Sequence, residues 1–228
     1  MIPIRDTIPS VRTPWLMRLL LLANVACFVL EVRAGEQLEA VLYRFGVVPA
    51  FWVLKTPSDL LRWPGLVGTL FTSQFLHGGL LHLGSNMLYL WIFGDNVEDR
   101  LGHGRFLILY VGSGVVAALT QLRLHPGLEV PMIGASGAIA GVLGAYFVLF
   151  PFARIVTWIP IFIVAHVVEV PAFTFLGFWF VLQWLQGMTT IGQVADTGGV
   201  AWWAHVGGFL CGLVLVLGVW PRSRRMQW

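Results

Sequence analysis

Charge is absent from four long stretches of this 228-residue chain: 106–122, 132–150, 171–186 and 201–220 contain no Asp, Glu, Lys or Arg. Two more apolar runs, 15–32 and 79–97, carry only scattered charges. Each run approaches the ~20 residues that a helix needs to cross a bilayer. In lipid the backbone must satisfy its own hydrogen bonds, which leaves helices or a closed barrel. The runs are continuous rather than alternating, so they predict helices. Composition agrees: 57% of residues are apolar and 11% charged, against about 25% charged in an average soluble domain. Mean hydropathy is +0.80. A soluble globule could not cover its surface with so few polar groups, and disorder needs the opposite composition. The expected fold class is an all-α polytopic membrane protein with six spanning helices.

The first run is expected to remain as a helix rather than leave as a signal peptide. Its polar lead is long and no small-residue cleavage site follows it. Residues 33–78 mix charge with Phe45, Phe51, Trp52 and Trp63, which predicts a partly embedded loop of amphipathic interfacial helices. Residues 152–170, interrupted by Pro160, are expected as an interfacial loop, and 187–200 as a polar, Gly-rich one. Six spans put both termini on one side, with the 95–105 turn and the 152–170 loop. That side holds nine basic residues (Arg5, Arg12, Arg18, Arg100, Arg105, Arg154, Arg222, Arg224, Arg225), and the other holds five (Arg33, Arg44, Lys55, Arg62, Arg123). Both termini are therefore expected in the cytoplasm. The domain reading is a tail over 1–14, a membrane domain over 15–220 and a basic tail over 221–228. With no targeting segment recognised, a bacterial-type plasma membrane is expected.

Strongly polar residues inside spans are costly and mark function by default. They are His82 and Asn86 in the second run, Ser136 in the fourth and His205 in the sixth, with His77 just ahead of the second. The three spans enter from the same side, and Ser136 and His205 are each expected about one turn, roughly 6 Å, below that surface. Asn86 follows His82 at i+4 and shares its face. A Ser beside a neutral His is an activated nucleophile with its general base. An Asn amide, a His N–H and backbone N–H groups near a helix start can hold an oxyanion. No carboxylate occupies this layer, so a dyad is expected rather than a triad.

These residues resemble the rhomboid intramembrane serine proteases. Gly134-Ala135-Ser136-Gly137 is similar to the family's GxSG nucleophile motif. Ala204-His205-Val206-Gly207-Gly208 with Gly212 is similar to its AHxxGxxxG motif. His77, His82 and Asn86 match HxxxxHxxxN, and Glu98-Asp99-Arg100 matches an ExR element. The resemblance covers about residues 60–220 in order. It implies a six-helix core, cleavage of the transmembrane segments of other proteins, and no cofactor. It implies Ser136 as nucleophile, His205 as base, and His82, Asn86 and the Ser136 N–H as the oxyanion hole. It implies that the fifth helix, with Phe178 and Trp179, and the 187–200 loop gate the substrate. Where some relatives stack an aromatic residue on the catalytic His, this chain has Ala140, so the sequence names no orienting partner for His205.

Small residues read as packing. Gly134, Gly137 and Gly141 around the Ser, and Ala204, Gly208 and Gly212 around the His, let two helices approach closely. A bulky residue at Gly208 is expected to part the dyad. Glu98 and Arg100 are expected to tie a turn to a neighbouring helix. No metal is expected, since no carboxylate or thiolate joins His77 and His82. Cys27 and Cys211 read as apolar filler. The net charge of +3 is not gathered in one aromatic-rich patch, so no nucleic-acid partner is expected. The expected partners are transmembrane protein substrates and membrane lipids. The alternatives are an inactive rhomboid-like protein that retains membrane clients, and a channel or transporter using the polar layer.

Overall fold

A computed structural model describes residues 1–53, 61–161, 164–190 and 199–219. Lys55 and Asp59 of the expected embedded loop, Gly192, Asp196 and Gly198 of the expected gating loop, Trp220 and the basic tail with Arg222, Arg224 and Arg225 lie outside the described residues.

The chain is mostly helical. In order come α1 (Trp15–Ala34), α2 (Leu38–Phe45), α3 (Trp63–Thr72), α4 (Leu80–Leu101), α5 (His103–Leu124), α6 (Ser136–Leu149), α7 (Ala172–Thr190) and α8 (Trp202–Val214). Among the described residues, two helical stretches, Trp15–Phe45 and His103–Leu124, are long and apolar enough to cross a membrane. α4 is long but ends in Asp95, Glu98, Asp99 and Arg100. α6 and α8 are apolar but have 14 and 13 residues. The short α6 lies at the centre of the bundle, where every residue from Gly137 to Tyr146 is buried. Large apolar side chains also point outward, among them Leu19, Leu22, Leu30 and Val32 on α1 and Phe178, Val181 and Leu185 on α7. An apolar exterior of this kind suits lipid, whereas a soluble protein rarely shows such contiguous patches.

Glycine sets the closest approach, between α6 and α8. A Cβ at Gly208 would overlap the Gly137 carbonyl, one at Gly212 the Gly141 carbonyl, and one at Gly144 the Phe209 carbonyl. The two backbones therefore touch along Gly137, Gly141, Gly208 and Gly212, whereas Gly134, expected in the same row, lies ahead of α6 and faces His82 instead. α5 packs on the same pair, where Ser113 fills the space a Gly141 side chain would need.

Glu98 accounts for the turn after α4. It is 1% exposed and accepts the Leu16 N–H at 3.0 Å and the Met17 N–H at 2.6 Å. These are free donors in the first turn of α1, where a carboxylate is favoured. The carboxylate also meets the His103 ring. Gly102 follows at φ 81°, a conformation glycine adopts at no steric cost, and reverses the chain into α5.

Two expectations for irregular structure are corrected. Residues 152–170 are not a loop but an antiparallel hairpin of β2 (Arg154–Ile161) and β3 (Val164–Pro171). Residues 1–14 are not a free tail, because β1 (Ile2–Asp6) pairs antiparallel with β2 and makes a sheet of order β1-β2-β3. Ile155 and Thr157 are fully buried, and Ile155 joins the core around Phe93, Tyr146 and Phe175. The Tyr146 hydroxyl donates to Asp6 Oδ2 at 2.6 Å. Burial pushes the Asp6 carboxyl up to about 6 against that hydrogen bond. In 33–78 the expected short helices are present as α2 and α3, with Trp52 and Trp63 edge-on at 5.6 Å.

Candidate active site

Ser136 opens α6, with Ala135 as its N-cap residue. The sequence placed it one turn inside a helix from Met132, but Met132 instead bridges Val47 in extended backbone. Ser136 therefore sits where first-turn N–H groups are free and the helix dipole favours negative charge. His205 is one turn into α8. Its Nε2 lies 2.8 Å from Ser136 Oγ.

The far side of the imidazole is also held. His205 Nδ1 donates to Gln183 Oε1 of α7 at 2.7 Å. An amide oxygen can only accept, so this bond keeps the proton on Nδ1 and leaves Nε2 free to accept from Ser136. Trp179 tilts over the ring with centroids 5.9 Å apart and planes 31° apart, and Trp202 meets it edge-on at 6.3 Å. His205 is only 9% exposed. With Ala140 small and buried, α7 supplies both the aromatic wall and the hydrogen bond. Gln183 stands in none of the sequence motifs. The rule that picked out Asn86, a strongly polar side chain inside an apolar run, applies to it equally.

The start of α8 is fixed by Gln121, whose Oε1 accepts the Ala204 N–H at 3.3 Å. A Gly207 side chain would collide with Thr120 of α5. The Gly rows thus determine the spacing of the dyad, and Gln121 its height.

His82 belongs to the same chamber. A Cβ built on Gly134 would lie 2.7 Å from His82 Nε2 and 3.7 Å from Ser136 Oγ. Gly134 has φ +126° and gives its N–H to Ser73 O at 2.9 Å. No other residue fits there, and without a side chain the space between the His82 Nε2 edge and Ser136 stays open. His82 Nδ1 accepts the Gly78 N–H at 3.3 Å, which leaves Nε2 as the protonated nitrogen. Asn86 is buried one turn further along α4, and its Nδ2 has no protein partner among the described residues. His77 is beside His82, with rings 5.2 Å apart. Its backbone N–H is held by Glu31 of α1 at 3.0 Å, so its position reads as an anchor for the approach to α4. Among the described residues no group of three His, Cys, Asp or Glu could hold a metal ion.

The arrangement offers a hydroxyl activated by a neutral imidazole, an orienting amide behind it, and donors grouped beside the hydroxyl. It can perform nucleophilic acyl transfer. The Rhomboid domain family matches residues 64–222, which contain all of these groups. Rhomboid protein 1, mitochondrial, of Saccharomyces cerevisiae is 34% identical over 147 residues, 62% of this chain and 39% of that protein. Rhomboid protease GluP of Bacillus subtilis is 36% identical over 118 residues, 52% of this chain and 21% of its own length. Presenilin-associated rhomboid-like protein, mitochondrial, of Homo sapiens is 30% identical over 193 residues, 84% of this chain and 45% of its own. The chain thus spans less than half the length of each of these relatives. With a domain match over most of its length and relatives carrying the name across bacteria and mitochondria, the chain belongs to the rhomboid family, whose members are integral membrane proteins.

Proposed function

We propose that this protein is an intramembrane serine endopeptidase that cleaves transmembrane segments of other membrane proteins. One observation carries the reading: Ser136 Oγ lies 2.8 Å from the unprotonated face of His205, whose tautomer Gln183 selects. Ser136 Oγ attacks the scissile carbonyl carbon while His205 Nε2 takes its proton. The oxyanion is held by the Ser136 N–H, His82 Nε2–H and Asn86 Nδ2. His205 then returns the proton to the leaving amine, and the acyl-enzyme is released by water that His205 deprotonates. Gln183 Oε1 turns a neutral dipole toward the transient imidazolium, the place a carboxylate fills in a triad.

The same reading takes α1, α4, α5, α6, α7 and α8 as six spans of one catalytic domain over 15–220. The start of α1 and the end of α8 face the cytoplasm, and the dyad lies near the opposite face of a bacterial-type plasma membrane; the expected cytoplasmic N-terminus does not fit, because Met1 and Ile2 lie against Leu80 and Leu81 on the dyad's half of α4. Residues 1–14 lead into α1 with β1 standing against α4, and 221–228 are a basic tail suited to lipid headgroups. The substrate unwinds locally near the dyad, because a helical carbonyl is hydrogen-bonded and shielded. Helix-breaking Gly or Pro in the substrate favours cleavage.

A fluorophosphonate probe tests the nucleophile. Labelling of the wild type that disappears in Ser136→Ala supports the protease. No labelling of a folded wild type would leave the inactive, client-binding alternative.

A further inference from the structure

β1 has a direction and a position that a structural tail does not need. At one end Asp6 is bonded to Tyr146 and faces Asp95, at the end of α4 remote from the dyad. At the other end Met1, Ile2 and Pro3 share a cavity of about 280 Å³ with Leu81, Ser85 and Leu88, on the half of α4 that carries His82. β1 therefore climbs α4 toward the dyad. The lengths agree: a five-residue strand covers about 16 Å, and ten residues of helix rise about 15 Å.

The sheet stands between the two helices that flank the dyad. β1 lies against α4 and β2 and β3 lie against α7, while α4 and α7 meet where Phe93 stacks on Phe175, toward the end remote from the dyad. α5, α6 and α8 pack tightly together on the other side. The sheet thus stands on one sideways approach of a membrane-embedded chain to Ser136. β1 runs from its N-terminal end near the dyad to its C-terminal end away from it. A substrate cut near the dyad, with the rest of its span following C-terminally through the bilayer, runs the same way.

The hold on β1 is weak by the standards of a sheet. Ile2 pairs with Trp158 and Pro3 with Thr157, but the register shifts between Pro3 and Arg5. Pro3 donates no N–H to the ladder. Removing β1 would expose the edge of β2 from Ile155 to Trp158, a row of N–H and C=O groups that must be re-paired in lipid. An extended peptide added at such an edge gains affinity from main-chain bonds and tolerates many sequences.

The geometry points to the β1-facing edge of β2 as a strand-addition site for an extended stretch of a membrane-spanning substrate. β1 occupies this site until substrate displaces it. This inference rests on the protease reading above.

A reversible lock tests it. Ile2→Cys and Trp158→Cys are introduced with Cys27 and Cys211 replaced by Ala. Paired strand residues lie about 4.5–5.5 Å apart at Cα, within disulfide reach. Cleavage of a single-span substrate in liposomes and fluorophosphonate labelling of Ser136 are measured side by side on the full chain. Oxidation is expected to cut cleavage about tenfold or more, with dithiothreitol restoring it and labelling unchanged. Deleting residues 2–6 is expected to raise kcat/KM severalfold, since the competent state no longer has to be exposed. Equal cleavage by the oxidised and reduced forms overturns the proposal. Cleavage and labelling that fall together, in the lock or in the deletion, also overturn it and make β1 a structural strand. A wild type that is not labelled and cuts nothing refutes the protease reading, and this inference with it.

Discussion

His205 is gripped on both ring nitrogens, and the Gln183 side can be removed without touching the nucleophile. Gln183→Leu keeps the volume and deletes the acceptor at 2.7 Å. A hydrogen bond to a group that becomes charged contributes about 1.5–3 kcal/mol, so kcat should fall roughly 10–100-fold. KM should change little, because Gln183 does not reach substrate. A kcat equal to wild type would show that Trp179 and Trp202 orient the ring unaided. A second residue carries a pH dependence. Folded Asp6 has its pKa raised from 3.8 to about 6 by burial, so the native state binds its proton more tightly than the unfolded chain. Its contribution is present below the unfolded value and is lost as pH rises through about 6. Asp95, Tyr146 and Arg5 are the charged and titratable groups around it. Thermal unfolding in detergent should show stability declining from pH 4 to 7, with a flatter profile in Asp6→Asn. An unchanged slope in that variant would place the titration elsewhere. At this scale the sequence was legible where residues stand in motifs. Ser136, His205, His82 and Gly134 meet in one chamber. Gln183 escaped because its relation to His205 is spatial and has no fixed spacing.

Close helix contact controls the dyad one level up. Gly208→Val would drive a side chain into the Gly137 carbonyl and Ala140. Overpacking of this kind costs about 1–3 kcal/mol, and relief by parting α6 from α8 lengthens the bond between Ser136 and His205. Fluorophosphonate labelling should fall about tenfold or more while Gly112→Ala, which meets nothing within 4 Å, keeps full labelling. Glu98 holds the opposite end. Glu98→Gln leaves one acceptor oxygen for the two N–H groups of Leu16 and Met17 and turns an amide N–H2 toward the other, which should destabilise the fold by about 1–3 kcal/mol, read as a lower midpoint of unfolding. No change would mean that the α1 start is held elsewhere. Helices of this kind are written in runs without charge, and each expected run contains a helix. The hairpin at 154–171 was hidden by Pro160 and by an apolar stretch with no clear period. Its richness in Ile and Val was the strand signal. The pairing of β1 is long-range, between residues as far apart in sequence as Ile2 and Trp158, and no local pattern encodes it.

The whole molecule turns apolar side chains outward and encloses its polar chemistry at one end. Among the described residues two helical stretches are long and apolar enough to cross a membrane; α6 is short and buried among its neighbours, so it need not face lipid along its length. Six spans put the start of α1 and the end of α8 on the same side. A fluorescent protein fused after residue 228 should fluoresce in the cytoplasm of a bacterial host, and alkaline phosphatase at that position should stay inactive. An active phosphatase there would require an odd number of spans.

The dyad is tested by cleavage of a single-span substrate in liposomes by the wild type, Ser136→Ala and His205→Ala. The wild type should cleave and neither variant should rise above background, with all three folded and inserted. Cleavage that persists in either variant would remove that residue from the chemistry and contradict the dyad.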